Sequence, residues 1–126
     1  MLLIIMEVLL DSNFIISCVK RKIDFVSELE LLGLKTLLPR EVVQELKDLR
    51  LNSKHDDRVA INVALEMFGN TKLKKIKLGT GKVDEKLIDM GKKGAYIASL
   101  DAYIKRSVPN RVVISNSANK LIIERS

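Results

Sequence analysis

Four carboxylates stand out in the 126-residue sequence by where they fall: Asp11, Glu45, Asp84 and Asp101. Asp11 directly follows an apolar run over residues 1–10, broken only by Glu7. Asp101 follows the apolar stretch 95–99 by two residues. Glu45 sits in the helical pattern after Pro39, flanked by Val42 and Leu46. Asp84 falls on the first turn of a helical pattern, and its i+3 and i+4 neighbours Leu87 and Ile88 are apolar. That spacing places it near the buried face, where a carboxylate is costly unless a cation or hydrogen bonds satisfy it. Four carboxylates drawn together repel one another, which raises the pKa of some of them. A divalent cation removes the conflict. Hard oxygen ligands favour Mg2+ or Mn2+ over zinc, and the single histidine, His55, lies apart in a polar stretch. One or two such ions can position a phosphodiester, activate a water and steady the leaving oxygen. Plainer uses stand beside this one. Asp11 and Asp101 could be N-caps, Asp84 could complement a helix dipole, and Glu45 could be a surface helix residue.

The elements that must position these acids are legible as alternating patterns. Residues 1–10 read as a strand buried on both faces of a parallel sheet. A short helix starts at Asp11-Ser12-Asn13 and holds Phe14, Ile15 and Ile16. Residues 24–32 read as a second helix, with Asp24 as N-cap and Gly33 as its stop. Residues 35–38 form a short strand. Pro39 then breaks the chain before a helix to about Leu49, with Val42, Val43, Leu46 and Leu49 at helical spacing. Ser53 followed by Asp56 predicts a capped start to the next helix, which runs to about Phe68 with Val59, Val63 and Met67 on its apolar stripe. Residues 73–78 predict a half-exposed strand, 79–81 a turn and 83–91 a helix. Residues 95–99 predict a strand, 101–106 a short helix, 111–115 a strand and 121–123 a last one. Such alternation argues an α/β fold, a three-layer α/β/α sandwich around a mainly parallel sheet, with residues 1–126 as one domain. In parallel sheets, ligands bind beyond the carboxyl ends of the strands, which is where Asp11 and Asp101 fall if their strands are neighbours.

Composition narrows the partners. The net charge is +6, unevenly spread: residues 1–63 hold 9 basic and 10 acidic groups, whereas residues 64–126 hold 13 and 6. A basic half of this kind fits a polyanion such as nucleic acid, and it fits a solubilising lysine-rich face as well. Lys72, Lys74, Lys75, Lys77, Lys82, Lys92, Lys93, Lys105, Arg106 and Arg111 are its candidate contacts, with Lys92, Lys93, Lys105 and Arg106 foremost. There is no Trp, and the aromatics number two Tyr and three Phe, so stacking platforms for single strands are scarce. Cys18 is the only cysteine, so no intramolecular disulfide forms, which suits a reducing cytoplasm. The opening apolar run is too short to span a membrane, and no basic n-region or cleavage site accompanies it.

Four stretches, in order, resemble the PIN-domain nucleases, named after the N-terminus of the pilus protein PilT. Val8-Leu9-Leu10-Asp11-Ser12-Asn13 resembles that family's opening strand. Pro39-Arg40-Glu41-Val42-Val43-Gln44-Glu45-Leu46 resembles its Pro-x-x-Val-x-x-Glu-Leu helix. Val83-Asp84-Glu85-Lys86-Leu87-Ile88 resembles its Asp-x-x-Ile segment, and Ile97-Ala98-Ser99-Leu100-Asp101 its Ala-Thr-x-Asp. The resemblance implies a parallel α/β/α fold and magnesium- or manganese-dependent RNA cleavage. It implies Asp11, Glu45, Asp84 and Asp101 as catalytic acids, with Asp11, Asp84 and Asp101 on the metal and Ser12, Asn13 and Ser99 as supporting polar residues. Glu85 rivals Asp84 as the third carboxylate, and Glu41 and Asp48 compete as accessory acids. Val108-Pro109, residues 112–116 and Ile123-Glu124-Arg125 resemble the archaeal and eukaryotic branch linked to ribosomal-RNA processing, which itself resembles archaeal toxin-like members. The resemblance therefore implies RNA as partner, with a homodimer, a ribosomal precursor or an antitoxin as further ones. Three readings follow: an endoribonuclease, an RNA-binding module that does not cut, or the toxin of a toxin–antitoxin pair. No Gly-rich phosphate loop follows the first strand, which disfavours a nucleotide-binding Rossmann domain.

Overall fold

The computed structural model describes residues 5–126, so residues 1–4 of the opening run lie outside the described residues. The strands are β1 (Met6–Leu10), β2 (Leu34–Pro39), β3 (Lys74–Ile76), β4 (Tyr96–Ala98), β5 (Asn110–Ser115) and β6 (Lys120–Arg125). The helices are α1 (Ser12–Lys20), α2 (Phe25–Leu31), α3 (Arg40–Arg50), α4 (His55–Asn70), α5 (Val83–Lys92) and α6 (Ala102–Ser107). All six strands join one sheet in the order β3-β2-β1-β4-β5-β6. Every pairing is parallel except β5 with β6, which forms an antiparallel hairpin at the edge.

Alternation along each strand sorts the core into two layers, because successive side chains point to opposite faces. Val8, Leu10, Leu34, Leu38, Tyr96 and Ala98 join Phe14, Phe25, Leu46, Ile61 and Phe68 on the face covered by α1 to α4. Leu9, Leu37 and Ile97 face the other way, under Leu87, Ile88, Ile104 and Val108 of the α5–α6 side. The result is a three-layer α/β/α sandwich with β1 central. Val8, Leu9 and Leu10 are wholly buried, as a strand covered on both faces requires. Met6 and Glu7 are not, so among the described residues of the run the double-sided burial belongs to the last three.

Gly91 lets the α5 layer close on the sheet. A Cβ there would fall 2.4 Å from Val108 Cγ1 and 3.1 Å from Ile97 Cγ1. Any side chain at this position pushes α5 away from β4 and from the segment after α6.

Three local expectations are corrected. α4 begins at His55 with Lys54 at its cap and no side-chain cap bond, because the Ser53 hydroxyl donates instead to the Leu49 carbonyl. Its buried stripe is Ala60, Ile61, Ala64 and Phe68, while Val59 and Val63 are 48% and 46% exposed. The alanines face inward because α4 packs closely on α1 and α3. The last strand is longer than 121–123 and runs antiparallel. Among the described residues, no helix is long and apolar enough to cross a membrane.

Candidate metal centre

β1 continues to β2 on one side and pairs with β4 on the other, so the sheet order switches direction between β1 and β4. Crevices form at the carboxyl edge of such switch points. Asp11 leaves β1 there, its N–H donating to the Ala98 carbonyl at 3.0 Å, and Ser99 and Asp101 leave β4 beside it.

Asp11 is 3% exposed and caps α1. Its Oδ1 accepts from the Ser12 N–H at 2.9 Å, and its Oδ2 accepts from the Ser99 hydroxyl at 2.7 Å. Burial pushes its carboxyl from the ordinary 3.8 up to about 6. The Ser99 and Ser12 hydrogen bonds oppose that rise, and the negative charges of Glu45 and Asp84 add to it. The charges of one carboxylate from α3 and one from α5 therefore reach Asp11.

The supporting groups tie these elements together. The wholly buried Ser99 accepts at Oγ from the Asp101 N–H at 3.0 Å while donating to Asp11, so one hydroxyl spans both strand ends. The Ser12 hydroxyl donates to the Glu45 carboxylate, joining α1 to α3. Asn13 Oδ1 accepts from the Leu100 N–H at 3.1 Å and pins the β4–α6 connection. Asp101 caps α6, its Oδ1 accepting from the Ile104 N–H at 3.1 Å. Asp11 and Asp101 are thus N-caps, as the plainer reading had it. Capping leaves Asp101 Oδ2 without a hydrogen bond among the described residues.

Asp84 departs from its expected place. It is exposed on the first turn of α5, although Leu87 and Ile88 below it are buried. Its charge reaches Asp11; that of Glu85, equally exposed, does not figure among the influences on Asp11. Glu41, a competing accessory acid, is engaged with the β3–α5 connection. Its two carboxylate oxygens accept from the N–H groups of Leu78 and Gly79 at 3.0 and 3.1 Å. Asp48 is exposed and accepts from Gln44 on its own helix at 3.0 Å.

The basic residues divide. Lys105 and Arg106 lie on α6, one turn beyond Asp101, and the Arg106 guanidinium sits 5.6 Å from the ring centroid of Tyr103. Tyr103, at 52% exposure, is the one aromatic open to solvent, a feature that aromatic content alone had not singled out. Lys92 and Lys93 end α5 and cap it. They lie about 12 Å along the helix from Asp84, because α5 carries the chain back toward the opposite sheet edge. Arg111 is committed to the fold: its Nη1 donates to the carbonyls of Lys105 and Val108 and to the Ser126 hydroxyl.

The donor chemistry at the crevice is all oxygen. Cys18 is buried on α1 with its thiol pushed up to about 12 by burial, and His55 lines a groove with Val19 and Val59. A carboxyl pushed up to about 6 chiefly by burial, with the charges of Glu45 and Asp84 adding to the rise, fits a hard divalent cation, which would offset both costs. Among the described residues, no three acids are close enough as placed to grip one ion together.

A family model for the PIN-like domain matches residues 8–115, from the start of the buried part of β1 to the end of β5. No curated protein matches the chain.

Proposed function

Because the chain belongs to the PIN-like domain family, whose members are generally nucleases, we propose that it is a metal-dependent endoribonuclease. The observation that carries the reading is Asp11: a buried carboxyl at the switch point of the sheet, its pKa raised to about 6 and within reach of the charges of Glu45 and Asp84. Asp11 and Asp84 would hold Mg2+ or Mn2+ with the free oxygen of Asp101, and Glu45 would complete the acidic wall. When bound, the ion supplies positive charge that neutralises the carboxylates and Lewis acidity toward a phosphodiester and its attacking water.

The chain's own residues do the positioning. Ser99 fixes the orientation of Asp11 and holds the Asp101 backbone in register with it. Ser12 restrains Glu45, which is then placed to orient or deprotonate a water. With its pKa raised to about 6, Asp11 would have to be deprotonated to hold a cation, so binding would tighten as pH rises through about 6. On the rim, Lys105 and Arg106 supply phosphate contacts that carry affinity without sequence information. Tyr103 offers one face for a base. RNA is the substrate this combination serves, and the resemblance of the tail over residues 108–125 makes a ribosomal precursor one candidate target. The lone buried thiol Cys18 accords with a cytoplasmic setting.

The test is cleavage of a labelled RNA at saturating manganese. The parent should cut, chelator should stop it, and Asp11→Asn and Asp101→Asn should each lower the rate at least about a hundred-fold, as loss of a group that places charge on the transition state does. Equal rates in parent and variants refute the reading. Metal-independent RNA binding with no cleavage would instead mark a module that only docks.

A further inference from the structure

Glu41 spends both carboxylate oxygens on the backbone of a loop 37 residues away. The N–H groups of Leu78 and Gly79 converge on it at 3.0 and 3.1 Å. That loop joins β3 to α5, and Leu78 and Val83 rest on the α5–α6 side of the core. β3 is a three-residue edge strand. Gly79 and Gly81 have φ of +100° and +116°, and Lys82, the N-cap of α5, makes no side-chain cap bond. Asp84 lies five residues beyond the anchored Gly79, on the first turn of α5. Glu41 also lies one turn before Glu45 on α3, so the two side chains rise from the same side of one rigid helix. The Leu78 N–H in particular holds the Glu41 carboxyl below its usual range, so the anchor stays ionised under ordinary conditions.

We infer that Glu41 is a positioning residue: it ties the Asp84 end of α5 to the helix that carries Glu45, and so sets the spacing of these two acids across the crevice. The inference rests on the nuclease reading for what the spacing achieves, and on the hydrogen bonds alone for the tether. Glu41 does not touch the ion or the RNA. Its part is to narrow the range over which the exposed Asp84 wanders, so that the acids close on a cation at low cost. Groups that orient ligands in this way typically change metal affinity by about ten- to a hundred-fold when removed.

The experiment compares the parent with Glu41→Gln and with Asp48→Ala, a control that removes a different exposed acid of the same helix. Glutamine keeps the length and one acceptor but cannot serve both N–H groups. In metal-free protein, amide hydrogen exchange at Leu78, Gly79 and the first turn of α5 should accelerate in Glu41→Gln and stay at the parent rate in Asp48→Ala. Half-saturation by Mn2+, read by direct binding and again from cleavage, should move up about ten-fold in Glu41→Gln, with kcat at saturating manganese within about three-fold of the parent. Unchanged exchange at Leu78 and Gly79 overturns the tether, and accelerated exchange with unchanged manganese affinity overturns its role in setting the acids. A parent that neither binds manganese nor cuts RNA overturns the nuclease reading, and the exchange comparison still decides whether Glu41 holds the loop.

Discussion

Asp11→Asn should stabilise the metal-free protein at neutral pH while abolishing its activity. The buried Asp11 carboxyl has its pKa raised from 3.8 to about 6. The folded state therefore holds a proton that the unfolded chain has released between those two values. Stability must fall as pH rises from about 4 to about 6, and the full loss persists above 6. At 1.36 kcal/mol per pKa unit the difference corresponds to about 3 kcal/mol. Asparagine carries no such charge, but its amide can replace only one of the two acceptors that Ser12 N–H and Ser99 Oγ now use, at a cost of about 1 kcal/mol. The variant should thus be about 1 kcal/mol less stable than the parent near pH 4 and about 2 kcal/mol more stable at pH 7.5. For a chain of this size the latter corresponds to a Tm higher by about 6 °C. Urea unfolding in chelator, at intervals from pH 4 to pH 8, gives both curves. They should cross. Parallel curves would mean that Asp11 ionises without strain, and the argument for a cation would lose its physical basis.

Other expectations follow from the same geometry. Ser99→Ala removes the donor to Asp11 and the acceptor for the Asp101 N–H. It should cost about 1–3 kcal/mol in chemical denaturation and move the acid limb of the cleavage profile to higher pH, since that bond lowers the Asp11 pKa; an unmoved limb would exclude Asp11 as its source. Arg111→Met should lower stability by about 2 kcal/mol through three lost hydrogen bonds, with RNA affinity by fluorescence anisotropy unchanged, whereas a large affinity loss would return Arg111 to the binding rim. Gly91→Ala should cost about 1–3 kcal/mol by overpacking against Val108 and Ile97, and a neutral Tm would show that α5 can shift freely.

Much of the fold is written in the order of apolar runs and the polar residues that end them. Asp11 after β1 and Asp101 after β4 were placed correctly because strand ends are marked locally, and the parallel pairing of the two strands then brings them together. α4 shows where periodicity runs out. It carries apolar residues on more than one stripe, and sequence alone favours the larger Val59 and Val63, whereas close helix packing selects Ala60 and Ala64. Asp84 was misjudged for a related reason. Its apolar neighbours at i+3 and i+4 show which side of α5 is buried, but not that its first turn projects beyond the sheet. Lys92 and Lys93 lie far from the acids for a topological reason, since a helix returning between parallel strands carries its C-terminus away from the carboxyl edge. The bond from Glu41 to the amides of Leu78 and Gly79 had no sequence signal at all, because backbone donors are the same at every residue and only the folded chain chooses among them.

At the centre of the proposed function is one cation held by Asp11, Asp84 and Asp101, with Glu45 beside it. Anomalous scattering from crystals soaked in manganese tests it most directly. A peak bonded to an Asp11 oxygen, with Asp84 or Asp101 as a second ligand and no such peak in Asp11→Asn crystals, is the expected result. A crevice left without anomalous density at saturating manganese would contradict it.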